Sequence, residues 1–273
     1  MNTSTKRDEA PTDTPGQSVL EQMSLRGRTA LVTGGGNGIG RGCAHALGEA
    51  GARVAVLDLD PDAARTVAEE LQDKGIDSLA FGADVRDPAA VEHALRGILN
   101  QWGRLTVAVN SSGIIRNSPA ELTTLDEWAE ILGVNLTGMF VACQVEGRAM
   151  LNEGYGSIIN IVSTASLVIP HPQKQAAYNA SKWGLLGLTK SLASEWSKRG
   201  VRVNALSPGV TDTGLFDNSP GLRAIAEQNA IQTPSGRVGQ VTDLYGAVAF
   251  LASPSADFVS GSHLVVDGGA SII

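Results

Sequence analysis

The segment Tyr178-Asn179-Ala180-Ser181-Lys182 places a phenol and an amine four residues apart in a stretch with helical periodicity. In a helix, side chains at this spacing lie one turn apart on the same face, within reach of each other. A free tyrosine has a pKa of about 10, and a nearby ammonium group lowers that pKa because it favours the phenolate. The pair could therefore transfer a proton, although the same spacing is common on solvated helix faces.

A glycine-rich turn follows the first apolar run, in the segment Thr33-Gly34-Gly35-Gly36-Asn37-Gly38-Ile39-Gly40. Between a strand and a helix, such a turn lets backbone N–H groups bind a pyrophosphate at the helix N-terminus. The spacing is T-G-x-x-x-G-x-G rather than G-x-G-x-x-G, and a tight connection without a ligand is the alternative. We predict phosphate binding, with contacts from Gly34, Asn37, Gly38 and Ile39.

Asp58 ends the second apolar run, one predicted helix after the glycine-rich turn. A carboxylate at this position accepts hydrogen bonds from both ribose hydroxyls of NAD and repels a 2′-phosphate. Neither Asn37 nor Leu59 offers a positive charge to such a phosphate. The sequence therefore predicts NAD rather than NADP as the cofactor. Asp84 and Val85, after the third apolar run, would face the adenine, unless Asp84 only caps the next helix.

The elements that must position these residues alternate regularly from residue 28 onward. Apolar, β-rich runs lie at 29–33, 53–57, 78–82, 105–110, 157–162, 202–206 and 263–266. Helical patterns cover about 39–50, 61–74, 88–102, 125–152, 176–199 and 240–252. Several strand runs are continuously apolar, which a strand covered on both faces requires. We predict an α/β fold, a single-domain Rossmann-type doubly wound parallel sheet of about seven strands between two helical layers.

Two further segments differ in character from this alternating pattern. Residues 1–22 are rich in Thr, Ser, Asp and Pro, with almost nothing to bury, and we predict a disordered tail before one domain over 23–273. The irregular stretch 207–239 is too long for a plain connection. We expect it to contain a substrate lid around 210–236.

The composition narrows the classes of partner. A net charge of −7 over 273 residues argues against binding to nucleic acids or anionic membranes, both of which require basic patches. No apolar run was expected to approach the roughly 18 residues of a membrane span, and the N-terminus shows no apolar signal region. Cys43 and Cys143 fall in predicted helices and suggest no disulfide framework. These features predict a cytoplasmic protein with a small-molecule substrate.

Taken together, the motifs resemble the short-chain dehydrogenase/reductase family over about residues 25–273. The matching residues are Thr33, Gly34, Gly38, Gly40, Asp84, Asn110, Gly113, Asn135, Ser163, Tyr178, Lys182, Pro208 and Gly209. The resemblance implies that Tyr178 exchanges a proton with the substrate oxygen while Ser163 holds that oxygen by a hydrogen bond. It also implies that Lys182 binds the nicotinamide ribose and favours the phenolate. Asn135 would hold a water linked to Lys182, unless it only braces a helix bend. This chemistry needs no metal.

The chain departs from the family pattern at some of these positions. Asn110-Ser111-Ser112-Gly113 stands where the family usually has Asn-Asn-Ala-Gly, with Asn110 and Gly113 still expected beside the adenosine. Ser166 and Thr164 compete with Ser163 for the catalytic position, and we favour Ser163 because it follows the fifth strand directly. The resemblance further implies that Pro208, Gly209, Val210 and Thr213 contact the carboxamide of the nicotinamide, although Thr213 could simply bond its own loop.

The sequence indicates the substrate less clearly than it indicates the reaction. Polar residues near the expected pocket could bind a polyhydroxylated molecule; they are His171, Gln173, Lys174, Asp217 and Asn218. The region around Tyr178 is similar to that of polyol dehydrogenases, and we expect oxidation of a sugar alcohol such as threitol to the ketose, and the reverse reaction. The alternatives are a 3-oxoacyl-thioester reductase and an NAD-binding regulatory protein without turnover. The resemblance also implies a homotetramer, in which the helices at 125–152 and 176–199 and the C-terminal strand pack across two-fold axes.

Overall fold

The computed structural model describes residues 18–214, 216 and 220–273, within which seven parallel strands form one sheet. The strands are β1 Thr29–Thr33, β2 Arg53–Asp58, β3 Ser78–Gly82, β4 Val107–Asn110, β5 Gly156–Ile161, β6 Val201–Pro208 and β7 His263–Val266. Their order across the sheet is β3-β2-β1-β4-β5-β6-β7, and every neighbouring pair is parallel. Because helices cover both faces, the predicted doubly wound α/β fold is confirmed.

The strand order creates a crevice at one edge of the sheet. The chain moves outward in one direction from β1 to β2 and β3, and in the other direction from β4 to β7. In doubly wound sheets, ligands bind at the carboxyl ends of the strands where the order reverses. The register places Thr33 of β1 opposite Leu57 of β2 and Asn110 of β4. The glycine-rich turn, Asp58 and the loop after β4 therefore meet at this edge.

Nine α-helices lie within the described residues. They are α1 Val19–Met23, α2 Gly38–Glu49, α3 Pro61–Asp73, α4 Pro88–Trp102, α5 Leu125–Leu132, α6 Met139–Glu153, α7 Ala176–Trp196, α8 Pro220–Gln232 and α9 Tyr245–Ala252. The helices α3 and α4 each begin with a proline, and Asp60 and Asp87 accept hydrogen bonds from their first N–H groups. Local sequence therefore determines where these helices begin.

The core consists of two apolar layers, one on each face of the sheet. In β1, Leu31 and Val32 point to opposite faces, and both are completely buried. Leu31 packs with residues of α4, α6 and α7, whereas Val32 packs with residues of α2, α3 and α9. A strand buried on both sides must be apolar throughout, which explains the continuous runs in the sequence.

The stretch at 207–239 is more regular than predicted. Helix α8 occupies Pro220–Gln232, and Thr211–Asp212 pairs in parallel with Gly239–Gln240. The apolar stripe that identifies a helix is missing here, since Ile225 and Ile231 are exposed. Residues 215 and 217–219 of the expected lid lie outside the described part of the chain, and with them Asp217 and Asn218.

A short helix lies at the end of the segment 1–22, for which we predicted a disordered tail. Residues 1–17 lie outside the described part, but α1 forms at Val19–Met23. Ser18 and Glu21 make a capping box, in which each side chain accepts a hydrogen bond from the backbone N–H of the other. The sulfur of Met23 lies 3.9 Å from the hydroxyl of Ser253, which holds the helix against the domain.

The predicted helix at 125–152 is interrupted by a π-helical turn at Gly133–Gly138, between α5 and α6. The combined stretch Leu125–Glu153 is the one helix of the described residues that is long and apolar enough to cross a membrane, with a mean hydropathy of 1.3. This criterion uses length and composition only, so the expectation that no apolar run reaches the length of a membrane span stays a prediction. Here α6 packs against α4, β4 and β5, and core helices of globular proteins satisfy the same criterion.

Candidate active site

A cleft of about 710 Å³ opens at the carboxyl edge of the sheet, where the chain order reverses. Most of the predicted site residues line it: Gly34, Asn37, Gly38, Ile39, Asp58, Asp84, Val85, Gly113, Ser163, Tyr178, Lys182, Pro208, Gly209 and Thr213. The fold therefore brings together residues from seven separate segments of the chain. Both the glycine-rich turn and the Tyr178–Lys182 pair face the same cavity.

Three predicted site residues do not line this cleft. The side chain of Asn110 points into the core, and Asn135 is completely buried behind Ile114. Val210 instead lines a neighbouring cavity of about 230 Å³ with Asp267. The predicted contacts of Asn110 and Val210 with the cofactor, and of Asn135 with a water linked to Lys182, stay predictions.

The glycine-rich turn is packed too tightly for side chains at two positions. A Cβ atom at Gly34, whose φ is +62°, would lie 2.7 Å from the backbone nitrogen of Ser112. A Cβ atom at Gly40 would overlap the carbonyl oxygen of Gly34. Asn37, which precedes α2, makes no side-chain hydrogen bond to the first turn of that helix. The turn therefore presents backbone N–H groups at a helix N-terminus, as a phosphate requires.

Asp58 is held in place by backbone groups on either side of it. One carboxylate oxygen accepts a hydrogen bond from Gly36 N at 2.9 Å, and the other accepts one from Asp60 N at 3.1 Å. Asp58 and Leu59 both line the cleft, and Leu59 is largely exposed. The carboxylate is thus fixed at the edge of the cleft, with an apolar neighbour rather than a cation beside it.

Asp84 has a partner that the sequence analysis missed. The guanidinium of Arg86 donates hydrogen bonds to both carboxylate oxygens of Asp84, at distances of 2.6–3.0 Å, and lowers the pKa of that carboxyl. Both residues line the cleft. Asp84 does not cap α4, because Asp87 does. The position of Arg86 after a strand at the binding edge could have identified it.

Tyr178 and Lys182 occupy the first two turns of α7. The ammonium nitrogen of Lys182 donates a hydrogen bond to the Ile161 carbonyl oxygen at 3.0 Å and lies 5.6 Å from the centre of the Tyr178 ring. Lys182 is almost completely buried, and this burial lowers its pKa to about 8. At pH 7 most of the lysine therefore still carries a positive charge inside the cleft.

Ser163, rather than Ser166, meets the tyrosine. Burial raises the pKa of Tyr178, and a hydrogen bond with Ser163 partly offsets this effect. The prediction that a nearby ammonium lowers this pKa overall is therefore wrong for the chain by itself, because desolvation outweighs it. The hydroxyl of Ser166 is buried and donates to the Ser163 carbonyl oxygen at 2.7 Å. Ser166 thus supports the turn in which Ser163 faces the cleft.

Asn135 lies in the π-helical turn between α5 and α6. Its amide oxygen accepts a hydrogen bond from Ile114 N, and its amide nitrogen donates to the Ile114 carbonyl oxygen, both at 2.8 Å. The same nitrogen also donates to the Ser181 hydroxyl at 3.1 Å. Asn135 therefore ties the loop after β4 to the residue that precedes Lys182.

The loop before α7 is anchored by its backbone, while its side chains are more exposed. Lys174 accepts a hydrogen bond at its carbonyl oxygen from Ser118 N at 2.7 Å, and its side chain is exposed, as is that of His171. Gln173 has a buried amide oxygen without a hydrogen-bond partner. None of these three residues lines the main cleft, whereas Ile115, which the sequence analysis did not single out, does.

The chain was compared with protein families and with known proteins. Residues 34–271 match a family described as Enoyl-(Acyl carrier protein) reductase. D-threitol dehydrogenase of Mycolicibacterium smegmatis is 41% identical over 257 residues, which cover 93% of this chain and 97% of that protein. A 3-oxoacyl-acyl-carrier-protein reductase of Staphylococcus aureus is 39% identical over 243 residues, which cover 89% of this chain and 97% of that protein.

A solved structure extends the similarity to three dimensions. The gluconate 5-dehydrogenase from Burkholderia cenocepacia, crystallised with NADP and tartrate, has a TM-score of 0.87 and 36% sequence identity. The match covers 94% of this chain and 100% of that one. Such similarity over nearly the whole length confirms the resemblance seen in the motifs. The chain belongs to the short-chain dehydrogenase/reductase family of oxidoreductases.

Proposed function

We propose that the protein oxidises a secondary alcohol of a polyol, such as threitol or another sugar alcohol, to the ketose with NAD, and catalyses the reverse reaction. One observation carries the proposal: Tyr178, Ser163 and Lys182 face the same cleft as the glycine-rich turn and Asp58. Proton transfer and dinucleotide binding can therefore occur side by side. The similarity to D-threitol dehydrogenase supports a polyol as the substrate.

The residues of the cleft fit a nicotinamide dinucleotide. Gly34 and Gly40 allow the backbone of the turn to approach neighbouring backbone atoms closely, and this arrangement leaves the N-terminus of α2 open to a pyrophosphate. Asp58 could accept hydrogen bonds from the ribose hydroxyls, and its fixed negative charge would repel a 2′-phosphate. We therefore assign NAD, although a related structure contains NADP. Lys182 would bind the nicotinamide ribose, while Pro208, Gly209 and Thr213 would border the nicotinamide ring.

Proton transfer in the proposed reaction belongs to Tyr178. When bound, the oxidised nicotinamide supplies the hydride acceptor and a positive charge. The Tyr178 phenolate takes the hydroxyl proton of the substrate during oxidation, and the phenol returns it during reduction. The buried charge of Lys182 favours the phenolate and so counteracts the effect of burial on the pKa of Tyr178.

Ser163 and Asn135 have different parts in the proposed mechanism. The hydroxyl oxygen of Ser163 accepts a hydrogen bond from Ala165 N at 3.1 Å, which leaves its own proton to donate to the substrate oxygen. Asn135 acts as a positioning residue, because its amide joins Ile114 to Ser181, beside Lys182. We propose this bracing role for Asn135 in place of the water-binding role.

Replacing Tyr178 with Phe tests the mechanism directly. NADH formation with C4–C6 polyols should fall by at least about 1,000-fold, because the proton acceptor is lost while the ring remains. NADH binding, measured by fluorescence titration, should stay within about threefold of the wild type. Tyr245→Phe, a matched substitution in α9 away from the cleft, should leave turnover unchanged. Undiminished turnover in Tyr178→Phe would contradict the mechanism, and no turnover in the wild type would favour a regulatory NAD-binding protein.

A 3-oxoacyl-thioester reductase is the second candidate. It is supported by the relative from Staphylococcus aureus and by exposed apolar residues near the cleft, Ile115, Leu167 and Ile169. Asp58 argues against it, because such reductases usually prefer NADPH. The net charge of −7 also argues against it, because an acidic carrier would be repelled. Activity on a β-hydroxyacyl thioester together with no activity on polyols would reverse our ranking.

We also propose that four copies of the chain assemble. Leu125 and Trp128 on α5 and Trp183 on α7 expose apolar surface on the helices that the family resemblance places at subunit contacts. Light scattering should give a mass close to four times 28.3 kDa. A monomeric mass would overturn the assembly without affecting the mechanism. The cytoplasmic localisation stays a prediction.

A further inference from the structure

A group of buried polar side chains crosses the core beneath the cleft. The amide nitrogen of Asn110, at the end of β4, lies 2.9 Å from a carboxylate oxygen of Glu146 on α6. It also lies 3.2 Å from the amide oxygen of Asn160 and 3.4 Å from the sulfur of Cys143. All four side chains are completely buried. We call them the Asn110 cluster.

On one side, the Asn110 cluster supports the glycine-rich turn. The amide oxygen of Asn110 accepts a hydrogen bond from the Thr33 hydroxyl at 3.2 Å, and Ser111 N donates to the Thr33 carbonyl oxygen at 3.0 Å. Thr33 directly precedes Gly34, which approaches Ser112 so closely that no Cβ atom fits between them. The orientation of Asn110 therefore affects where the turn lies relative to Ser111 and Ser112 in the cleft wall.

On the other side, the cluster reaches the helix that carries Tyr178. The amide nitrogen of Asn160 donates a hydrogen bond to the Thr189 hydroxyl at 2.9 Å, and Thr189 lies on α7. Asn160 also precedes Ile161, whose carbonyl oxygen holds Lys182. The same buried side chains thus contact both the strand ends around the glycine-rich turn and the helix that carries Tyr178.

Glu146 is an unfavourable residue for stability in this place. Its second carboxylate oxygen is buried and has no hydrogen-bond partner, and burial raises the pKa of the carboxyl to about 7. A buried carboxyl with an unsatisfied oxygen costs free energy, and an apolar residue of similar size would remove that cost. Stability by itself therefore does not explain a glutamate at this position, and its bond to Asn110 suggests a different role.

We propose that Glu146 is a positioning residue for the cofactor: its carboxylate accepts the Asn110 amide and so holds the glycine-rich turn against the Ser111–Ser112 wall of the cleft. The inference rests on the proposed binding of a nicotinamide dinucleotide in this cleft. Removing the acceptor leaves the Asn110 amide nitrogen with only its longer contacts to Asn160 and Cys143, which weakens the side-chain link between the ends of β1 and β4. Cofactor affinity should then fall although the fold remains intact.

Direct binding of NADH to the full chain tests this proposal. In Glu146→Leu, fluorescence titration should show an affinity lower by about tenfold, the size of one hydrogen bond of about 1.4 kcal/mol. Its urea-unfolding midpoint at pH 7.5 should be equal to or higher than that of the wild type, because a buried carboxyl has been removed. A merely structural role would instead lower affinity and stability together, or leave affinity unchanged.

Two further variants complete the test. Glu146→Gln keeps an acceptor for Asn110, so its NADH affinity should lie within about threefold of the wild type. Met150→Leu, a change of similar volume at a buried site of the same helix, should leave the affinity unchanged. Wild-type affinity in Glu146→Leu, or equal losses in the Leu and Gln variants, would overturn the inference. Neither result depends on a substrate, so a failure of the polyol assignment would be seen separately, as missing turnover in the wild type.

Discussion

The two ends of the cleft differ in what holds their functional groups. At the cofactor end, Gly34 and Asp58 are fixed by backbone contacts and lie at the ends of strands buried on both faces. At the proposed substrate end, the loop before α7 carries the exposed side chains of His171 and Lys174, which lie outside the main cleft. Backbone geometry at strand ends varies little, whereas exposed side chains on a loop can be exchanged without disturbing the core. The comparison suggests that the cofactor site is the rigid part of the molecule and the substrate site its adaptable part.

Burial also decides what shifts the pKa values of the charged groups. Glu146 and Lys182, beneath and within the cofactor end, have pKa values shifted by desolvation. In the neighbouring cavity that Val210 lines, Asp243 has its pKa lowered to about 2, chiefly by a hydrogen bond from Arg237, and both side chains are partly solvated. The pKa values of the buried groups are therefore shifted by desolvation, whereas those of Asp243 and of Asp84 are shifted by an arginine partner that water screens.

The strongest test of a rigid cofactor end is Gly40→Ala. The added methyl group would overlap the Gly34 carbonyl oxygen, a backbone atom that cannot move aside without distorting the turn. We expect NADH affinity to fall by more than about 100-fold, equivalent to 2.7 kcal/mol or more. Fluorescence titration measures this loss, and circular dichroism checks that the fold persists.

Gly187→Ala is the matched control for that substitution. Gly187 lies inside α7 with no atom within 4 Å of an added Cβ, and a helical alanine should stabilise the protein by about 0.5–1 kcal/mol. If Gly40→Ala binds NADH as well as Gly187→Ala does, the turn is not the rigid element that the comparison requires.

The pH dependence of unfolding should reveal the buried carboxyl. The pKa of Glu146 is about 7 in the folded chain and about 4.5 when it is unfolded, so ionisation destabilises the folded state increasingly as the pH rises between these values. Glu146→Gln should therefore be more stable than the wild type by about 3 kcal/mol above pH 7. The difference should shrink by about 1.4 kcal/mol for each pH unit from 7 toward 5. Urea unfolding at several pH values measures this difference, and a gap independent of pH would contradict it.

Cofactor choice tests whether Asp58 provides specificity as well as rigidity. Asp58→Asn removes the negative charge but keeps an oxygen for the Gly36 N–H group. We expect the ratio of kcat/KM with NAD to that with NADP to fall by about tenfold or more, because the repulsion of a 2′-phosphate is lost. Initial rates with each cofactor provide this ratio. A wild-type protein that prefers NADP would refute the assignment at once.

The smallest effects should arise at the substrate end. If a polyol hydroxyl is the partner that the buried Gln173 amide oxygen lacks in the free chain, Gln173→Ala should raise KM for the polyol by roughly threefold to tenfold. KM for NAD should not change, since the residue lies outside the main cleft. Lys198→Ala, an exposed site after α7, serves as the control. A change in KM for NAD of similar size would show that the two ends are not independent.

The comparison also explains which site residues could be predicted. Gly34, Asp58 and Ser163 lie at or just after the end of a strand, and Lys182 lies one helical turn after Tyr178, so neighbours along the chain define their environment. Asn110 was assigned to the adenosine, but its side chain turns into the core, since Thr33 and Glu146 on other elements provide its partners. Hydrogen-bond partners that are distant in the sequence produce no pattern among neighbouring residues.

The pKa of Tyr178 likewise depends on residues that are distant in the sequence. The four-residue spacing of Tyr178 and Lys182 correctly indicated neighbours on one helix, but the raised pKa of Tyr178 comes from burial, which depends on the whole fold. Helix α8 was not predicted, because its apolar side chains Ile225 and Ile231 are exposed and form no amphipathic stripe.

The sequence by itself determined the alternation of strands and helices, the glycine-rich turn, the acidic end of β2 and the four-residue spacing of Tyr178 and Lys182. These features depend on periodicity and on conformations that only certain residues adopt, so they can be recognised from residues that are adjacent in the sequence. Only the tertiary structure decided that Asn110 and Glu146 share a buried hydrogen bond and that Arg86 holds Asp84. It also decided that Ser163, and not Ser166, faces the tyrosine. Desolvation and long-range hydrogen bonding act through space, and they exist only once the chain has folded.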